Sequence, residues 1–564
     1  MAANNRTFNA LILIVAFGFI LRIWGIGFGP YHPDEPLVVN QALAFGTGKL
    51  LPTVYYYPPL LHYILFLCYG LFYLIGWLLG PFRTFDNFLK LVLIDQLPFY
   101  IIGRFISALA GTLTIIPVYI ITKKLYSKNA AILASLFISC MYLHVRNSHY
   151  CTVDVMMTLM LSLSYIFILK IAEKNLLKDY LWAGVLTGLA ISTKYNSGVL
   201  IFLIAAAGLT HISFKKNAIN LYVVKNLILS YLCALIVFLL LCSFVILDLK
   251  GFLNAFEVLY QIGKDTNVSI WYRFRVDLLF GIGILLELFG LCGFAYLIVK
   301  KEKKGIIFVL FPAIYLFCIR KIGGQVFARY SIPLLPFFAI STSIFLTKIF
   351  SILKIKSLYK KVLFVSLVAI SIYNPCLKSI YADYLLSKPD IRDLARDWIY
   401  ANIPTGSSIV VTNSQYAPLL YPTKAQLKEK FILINNDDRG ADLKRKRLEF
   451  LLNFEIYPIN YYRLYYFGSS PAEFIMHTPI LAYVKDNIFK NKIEYIITDE
   501  ISEQNNGDFF LNLKNNLLLV KAFSPFKGGF RKYSPIPYSY MPLDDSLFYL
   551  SNNGIGIKIY KVKE

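Results

Sequence analysis

Apolar runs long enough to cross a bilayer recur from Phe8 to about Leu377, and then the pattern changes. A crossing needs about 20 mostly apolar residues. The candidates are 8–28, 57–80, 98–121, 129–146, 150–171, 179–195, 197–214, 226–248, 278–300, 305–319, 328–348 and 361–377. From Lys378 to Glu564 apolar and polar positions interleave. There "DIRDLARDWIYANIPTG" (390–406) puts Ile391, Leu394, Ala395, Trp398 and Ile399 on one helical face and stops at Pro404 and Gly406. "SSIVVT" (407–412), "KIEYIITDE" (492–500) and "GIGIKIYKV" (554–562) read as strands. The pattern predicts an all-α polytopic membrane domain over 1–377 and a soluble α/β domain over 378–564. Arg22 interrupts the first run and Pro30 follows its only small-residue pair, so that run is expected to stay as an anchor and not to be cleaved as a signal peptide.

Charge turns the pattern into a topology. Residues 1–377 hold 33 Lys+Arg against 13 Asp+Glu, and residues 378–564 hold 24 against 20. The basic excess is confined to the membrane part, where it reads as loop charge and not as a nucleic-acid surface. Five basic loops (122–129, 170–179, 213–226, 300–304 and 348–361) alternate with less basic connections, which puts them in the cytoplasm. An even number of spans from a cytoplasmic N-terminus would leave the second domain inside, against those charges. A short extra crossing at 87–102, with the next span starting at Gly103, restores parity. The expectation is thirteen crossings of the plasma membrane and an extracytoplasmic C-terminal domain. The eight cysteines lie in or beside apolar stretches without a CxxC pair, as buried small hydrophobes do.

On this topology the acids collect outside. Asp34, Glu35, Asp154, Asp248, Glu257, Asp265 and Asp277 all map to the outer face. In "FGPYHPDEPLVV" (28–39) two carboxylates stand side by side at a membrane edge, which is costly because like charges repel and the low dielectric disfavours ionisation. Pro33 and Pro36 hold Asp34 and Glu35 out of a regular helix, so the backbone can aim them. The blander reading is that the pair caps a short interfacial helix over 36–46. "YYYPPLLHY" (55–63), which includes Tyr57, suits the headgroup level.

Other polar groups gather on the same face. "LHVRNSHYCTVDVMM" (143–157) sets His144, Arg146, His149 and Asp154 around one outer turn, and "STKYNSGVL" (192–200) places Lys194 and Tyr195 at another. "IRKIGGQVFARYSIPLLP" (319–336) adds Arg320, Lys321, Arg329 and Tyr330. A single base in such a place can be a snorkelling anchor, and Arg320 and Lys321 are read that way. Taken with the carboxylates, the bases suit a phosphate-bearing lipid and an acceptor hydroxyl.

The "HPDEP" loop, "YYPPLLHY", "GRFISALAGTLTIIPVYIITKKLYSKNAAILASLF", "TVDVMMTLMLSLS", "GLAISTKYNSGVL" and "RYSIPLLP" together resemble the polytopic GT-C glycosyltransferases over about residues 8–348. The likeness is to the branch of protein O-mannosyltransferases and lipid A aminoarabinose transferases. It implies a GT-C fold and a polyprenyl-phosphate-linked monosaccharide as donor, with a lipid, polysaccharide or protein as acceptor. Asp34 matches the family's catalytic acid position and is expected to act as general base, with Glu35 orienting the acceptor or assisting. Lys194 and Arg329, with Tyr195 and Tyr330, are expected to hold the donor phosphate. Asp154, His149, Arg146, His32 and Tyr57 are expected to support them.

No cofactor is required by the sequence. His32, His149, Glu35 and Asp154 could alternatively hold a divalent metal, although HExxH or another strong ligand spacing is missing. The rival function is a transporter or flippase of a lipid-linked glycan. Against it, no internal repeat is evident and the acidic pair sits at the outer edge and not midway across.

Overall fold

A bilayer offers no water to satisfy peptide groups, so an apolar run must close its hydrogen bonds internally, and up to Leu386 the chain does so as helices. The computed structural model describes residues 2–93, 95–212, 220–264, 268–320, 327–413, 417–433, 445, 448–449, 451–453, 460–466, 482–483, 492–529 and 541–563. Asp265 and Lys321 lie outside them. Among the described residues seven helices are long and apolar enough to cross a membrane, or up to nine if two bent pairs each count as one span. The bends are 57° between Lys128–Cys140 and Tyr142–Ser148, and 119° between Ile270–Ile282 and Ile284–Val299. Other expected spans are shorter helices, at Leu177–Ile191, Val199–Leu209 and Lys303–Ile319.

The extra crossing expected at 87–102 is not formed. Phe85–Leu93 is a separate helix of 9 residues, about 14 Å long, which falls well short of the hydrocarbon thickness. A new helix starts at Leu97 with Pro98 in its first turn, where a missing N–H costs nothing, and it continues to Leu125 as one 29-residue span. The break thus falls at Asp95 and Gln96, and Gly103 is interior to the second helix.

Close helix contacts depend on small residues. A Cβ at Gly184 would lie 2.2 Å from the Ser230 carbonyl oxygen, and one at Gly188 would lie 2.7 Å from that of Ala234. These two glycines, four apart, let Leu177–Ile191 touch Leu221–Leu241 backbone to backbone.

The last membrane helix, Ser357–Leu386, runs past the expected boundary at Leu377, and the chain turns into the second domain at 387–390. That domain carries a six-stranded sheet of β1 (Ser408–Val411), β2 (Arg463–Tyr466), β3 (Ala482–Tyr483), β4 (Tyr495–Asp499), β5 (Leu517–Phe523) and β6 (Ile557–Val562). The order is β3-β2-β1-β4-β6-β5, parallel through β4 and antiparallel thereafter. The expected amphipathic helix forms as Ile391–Asn402 and buries Ile391, Ala395 and Ile399 against Ile409, Val411 and Ile559. The second domain is not merely tethered. Met541, Leu543, Leu547 and Leu550 enter the membrane domain's core, and the buried Lys378 ammonium donates to the Leu543 carbonyl at 2.9 Å.

One carboxylate in this domain sets a pH dependence. Both Glu500 oxygens are buried without a hydrogen-bond partner among the described residues. Burial, against the opposing pull of Lys558 and with Glu503 and Asp499 nearby, pushes the group up from 4.5 to about 7. Folding therefore favours the protonated form. Its stabilising contribution is complete below the unfolded value of 4.5 and is lost as pH rises through about 7. Glu500→Gln should leave the Tm of the solubilised protein unchanged at pH 4 and raise it relative to wild type at pH 8. Parallel melting curves at the two pH values check this.

Candidate active site

The two adjacent carboxylates of the first loop point opposite ways, and each has its own guanidinium. Asp34 is the N-cap of the helix Glu35–Ala44, with Pro36 in the first turn. Its carboxylate forms a close ion pair with Arg329. Glu35 is fully buried and takes a bidentate pair from Arg104, whose Nε and Nη2 lie 2.8 and 2.7 Å from its two oxygens. The Cys151 amide donates a third bond to Glu35 at 2.9 Å. Arg104 also donates to the carbonyls of Ile26 (3.0 Å), Phe28 and Gly29 (3.0 Å), and its guanidinium lies 3.5 Å from the centre of the Phe28 ring. This assembly fixes the loop from behind while Asp34 faces the front. The repulsion that makes the sequence costly is answered by two separate cations.

At the front the charges alternate. Arg329 lies between Asp34 and Asp154, with its Nε 4.0 Å from an Asp154 oxygen. The other Asp154 oxygen accepts from the Lys194 ammonium at 2.6 Å. Lys194 and Arg329 are 6% and 7% exposed, so the solvent screening that makes surface pairs weak is largely removed here. The Tyr330 ring lies at the centre, 4.5 Å from Lys194 Nζ, 5.8 Å from the Arg329 guanidinium and 5.9 Å from that of Arg273. Tyr57 faces Lys194 from 6.0 Å, and burial together with Asp34 holds its phenol well above the ordinary range. His32 accepts from the Asp34 amide at 3.3 Å, and its ring lies 4.4 Å from that of Tyr150. Burial, then the charges of Arg329 and Arg146, push the His32 imidazole well below 6.5, so it is neutral.

Several expected residues lie elsewhere. Glu35 is held behind the loop by Arg104 and does not join the Asp34–Arg329 group. Tyr195 turns away from the cations and donates to the Tyr55 carbonyl at 3.1 Å, with Phe256 5.0 Å from its ring. His149 is buried among helix ends, with its ring nitrogens 3.0 Å from the Val145 carbonyl and 3.1 Å from that of Trp24, and Asp383 at 3.2 Å. Arg320 ends its helix beside Phe317, 5.5 Å from the ring centre. The four residues named for a metal do not converge. Glu35 is on Arg104, Asp154 on Lys194 and His149 on Asp383, and no group of three metal-ligating side chains forms among the described residues.

Two further arginines, to which the sequence reading assigns no role, support this region. Arg104 is the lone charge of the helix Leu97–Leu113, and that isolation is a usable signal. Arg273 is 1% exposed on a π-helical turn (Arg273–Leu278), where it donates from Nη1 to Asp277 at 2.8 Å and to the Phe327 carbonyl at 3.0 Å. Its Nε and Nη2 have no partner among the described residues. Such turns recur at functional sites, but only coordinates reveal one.

This architecture, a polytopic helical domain followed by a smaller α/β unit, is the fold of the GT-C membrane glycosyltransferases, and the chain is an integral membrane protein. Residues 101–246 match the family model of dolichyl-phosphate-mannose-protein mannosyltransferases. The fold matches that of ArnT from Cupriavidus metallidurans bound to undecaprenyl phosphate, over 90% of this chain and 96% of that one, with a TM-score of 0.52 and 12% identity. The apo state of that protein matches over 99% and 98%, with a TM-score of 0.52 and 10% identity. The oligosaccharyltransferase AglB from Archaeoglobus fulgidus, in complex with an inhibitory peptide and a dolichol-phosphate, matches over 89% and 70%, with a TM-score of 0.50 and 12% identity. At these identities the likeness is one of fold. No curated protein matches the sequence.

Proposed function

We propose that this protein transfers a monosaccharide from a polyprenyl-phosphate donor to an acceptor hydroxyl on the extracytoplasmic face of the membrane. The observation that carries the reading is the largely buried alternating series Asp34–Arg329–Asp154–Lys194, which puts two carboxylates and two cations in one place at the helix ends. Two proteins of this fold hold a polyprenyl phosphate, undecaprenyl phosphate in ArnT and dolichol-phosphate in AglB, and that class of lipid is carried over here as the donor.

In the reaction the acceptor oxygen bonds to the anomeric carbon while the bond from that carbon to the phosphate oxygen breaks. The bonding pair leaves on the polyprenyl phosphate, and the hydroxyl proton passes to Asp34. One displacement inverts the anomeric centre. Because the leaving group is already a stable anion, it calls for cations and not for a strong acid. Lys194 and Arg329 supply them, with Tyr330 between them and, beside it, the Arg273 donors that have no partner among the described residues. Glu35 has a positioning role. Through Arg104 it holds the loop that presents Asp34.

The test is release of label from a panel of labelled polyprenyl-phosphate sugars, using membranes that carry the protein and an added acceptor extract. Release from one donor supports the reading, and no release from any donor with acceptor present sinks it. Lys194→Met should raise the KM for the active donor about 10–100-fold, the range expected when one charge-assisted contact to phosphate is removed. Initial rates against donor concentration measure this, and an unchanged KM removes Lys194 from the phosphate site.

A further inference from the structure

Beside the first loop lies a half-open cleft of about 840 Å³ between the membrane domain and the second domain. One wall is the stretch 25–30, and the facing wall is the side of Ile391–Asn402 that bears Asp393, Arg396 and Tyr400. Gln96 and Tyr421 also line it. The volume falls within the roughly 300–1,000 Å³ typical of small-molecule sites.

The lining indicates the kind of occupant. Asp95 and Asp393 are balanced by Lys388 and Arg396, so the cavity favours neither an anion nor a cation. Asp393 accepts from the Tyr31 hydroxyl at 2.5 Å and from Arg396 at 2.8 Å. What the walls offer is phenol rings, an amide, a hydroxyl at Ser387 and paired ionic groups at hydrogen-bonding height. The Ser387 hydroxyl and the Tyr400 phenol donate to the Tyr384 and Leu419 carbonyls, so what they leave for a ligand is acceptor oxygen. Rings for C–H faces, with acceptor oxygens for hydroxyls and no net charge, match a saccharide.

The glycines show that the space is built in. Gly25 has φ +84° and sits 2.8 Å (as Cβ) from the Asp383 carbonyl oxygen, so its backbone and packing both require glycine. Gly27 has neither constraint, and a Cβ there would meet nothing within 4 Å. What the missing side chain leaves is room in the cavity. The carbonyls of Ile26, Phe28 and Gly29 all accept from Arg104, which holds this wall in place. Pro30 lines the cavity and Asp34 is four residues further on, which limits the chain between them to about 14 Å.

We propose that this cavity receives the saccharide portion of the acceptor, held between the glycine wall and Tyr400 and Tyr421, so that its reacting hydroxyl is delivered to the Asp34 side of the same loop. The proposal rests on the transfer reading above. The chemistry that recognises the acceptor is thus on the second domain as well as in the membrane domain.

The test uses the full-length protein in membranes, the active donor, and an acceptor extract of host membranes in three aliquots: untreated, periodate-oxidised and protease-digested. Gly27→Phe fills the cavity from one wall and Tyr400→Ala strips the other. Gly70→Phe, in the membrane helix Leu60–Leu79 where a Cβ also meets nothing, controls for added bulk. The expected result is that periodate abolishes acceptance and protease does not. Both cavity variants should then raise the half-saturating acceptor concentration about tenfold or more, with the donor's value unchanged. Unchanged acceptor saturation in Gly27→Phe and Tyr400→Ala overturns the cavity assignment. Acceptance destroyed by protease but not by periodate means a peptide acceptor, which overturns the saccharide proposal while leaving transfer intact. If wild type moves label from no donor, both readings fall. Should Gly27→Phe melt well below Gly70→Phe, the acceptor saturation of Tyr400→Ala decides alone.

Discussion

Asparagine in place of Asp34 should lower kcat for sugar transfer about 10²–10⁴-fold while donor KM stays level or falls. The amide keeps the size of the carboxylate and can still meet Arg329, but it cannot take a proton from the acceptor. The expected direction of donor KM follows from the ion pairs. Arg329 now divides itself between Asp34 and Asp154, and losing one of these anions leaves it freer to meet a phosphate. A residue that merely held donor would show the reverse pattern, a higher KM with kcat retained. Initial rates at varied donor, with binding of the unlabelled polyprenyl phosphate measured separately, distinguish the two. Full kcat in Asp34→Asn would remove Asp34 as the base.

How much of this site was visible in the sequence depends on the kind of signal. Asp34, Lys194, Arg329, Tyr57, Tyr330 and Asp154 are polar residues beside apolar runs, and the cost of placing charge there marks them whatever the tertiary contacts. Direction is a different matter. Asp34 and Glu35 are neighbours with the same chemistry, and nothing local says that one faces Arg329 and the other Arg104. Only the approach of the span Leu97–Leu125 decides it. His149 and Tyr195 went astray for the same reason, since each lies within a few residues of the site and the helix turn carries it to another neighbour. The crossing expected at 87–102 failed because an apolar window runs over Asp95, Gln96 and Pro98 as if they were small interruptions, whereas hydrogen-bond geometry treats them as an end and a new start. In the second domain, short apolar runs mark β1 and β4, which are buried along their length, and alternation marks β6. By contrast β5, whose residues are half-buried or exposed along its length, carries no such pattern.

The largest effect on stability is expected from Arg104. Replacing it with Met keeps a long apolar side chain in the span but leaves the Glu35 carboxylate at 0% exposure with no cation, and leaves the carbonyls of Ile26, Phe28 and Gly29 without their donor. Breaking a buried pair from one side costs about 3–5 kcal/mol, because the remaining charge is uncompensated. Glu35→Gln should cost less, since the amide oxygen can still accept from Arg104 and from the Cys151 amide. The double variant Glu35→Gln, Arg104→Met removes the stranded charge and should recover part of the loss. It should not recover all of it, because three loop carbonyls remain unpaired whichever acid is present. Melting temperatures of the four solubilised proteins give the coupling directly. If Arg104→Met and the double variant melt together, the pair is not what holds the loop, and the carbonyl contacts alone do. If the double variant recovers stability but not transfer, the pair is shown to be a positioning device for Asp34: the fold tolerates its loss, and the aim of the catalytic carboxylate does not.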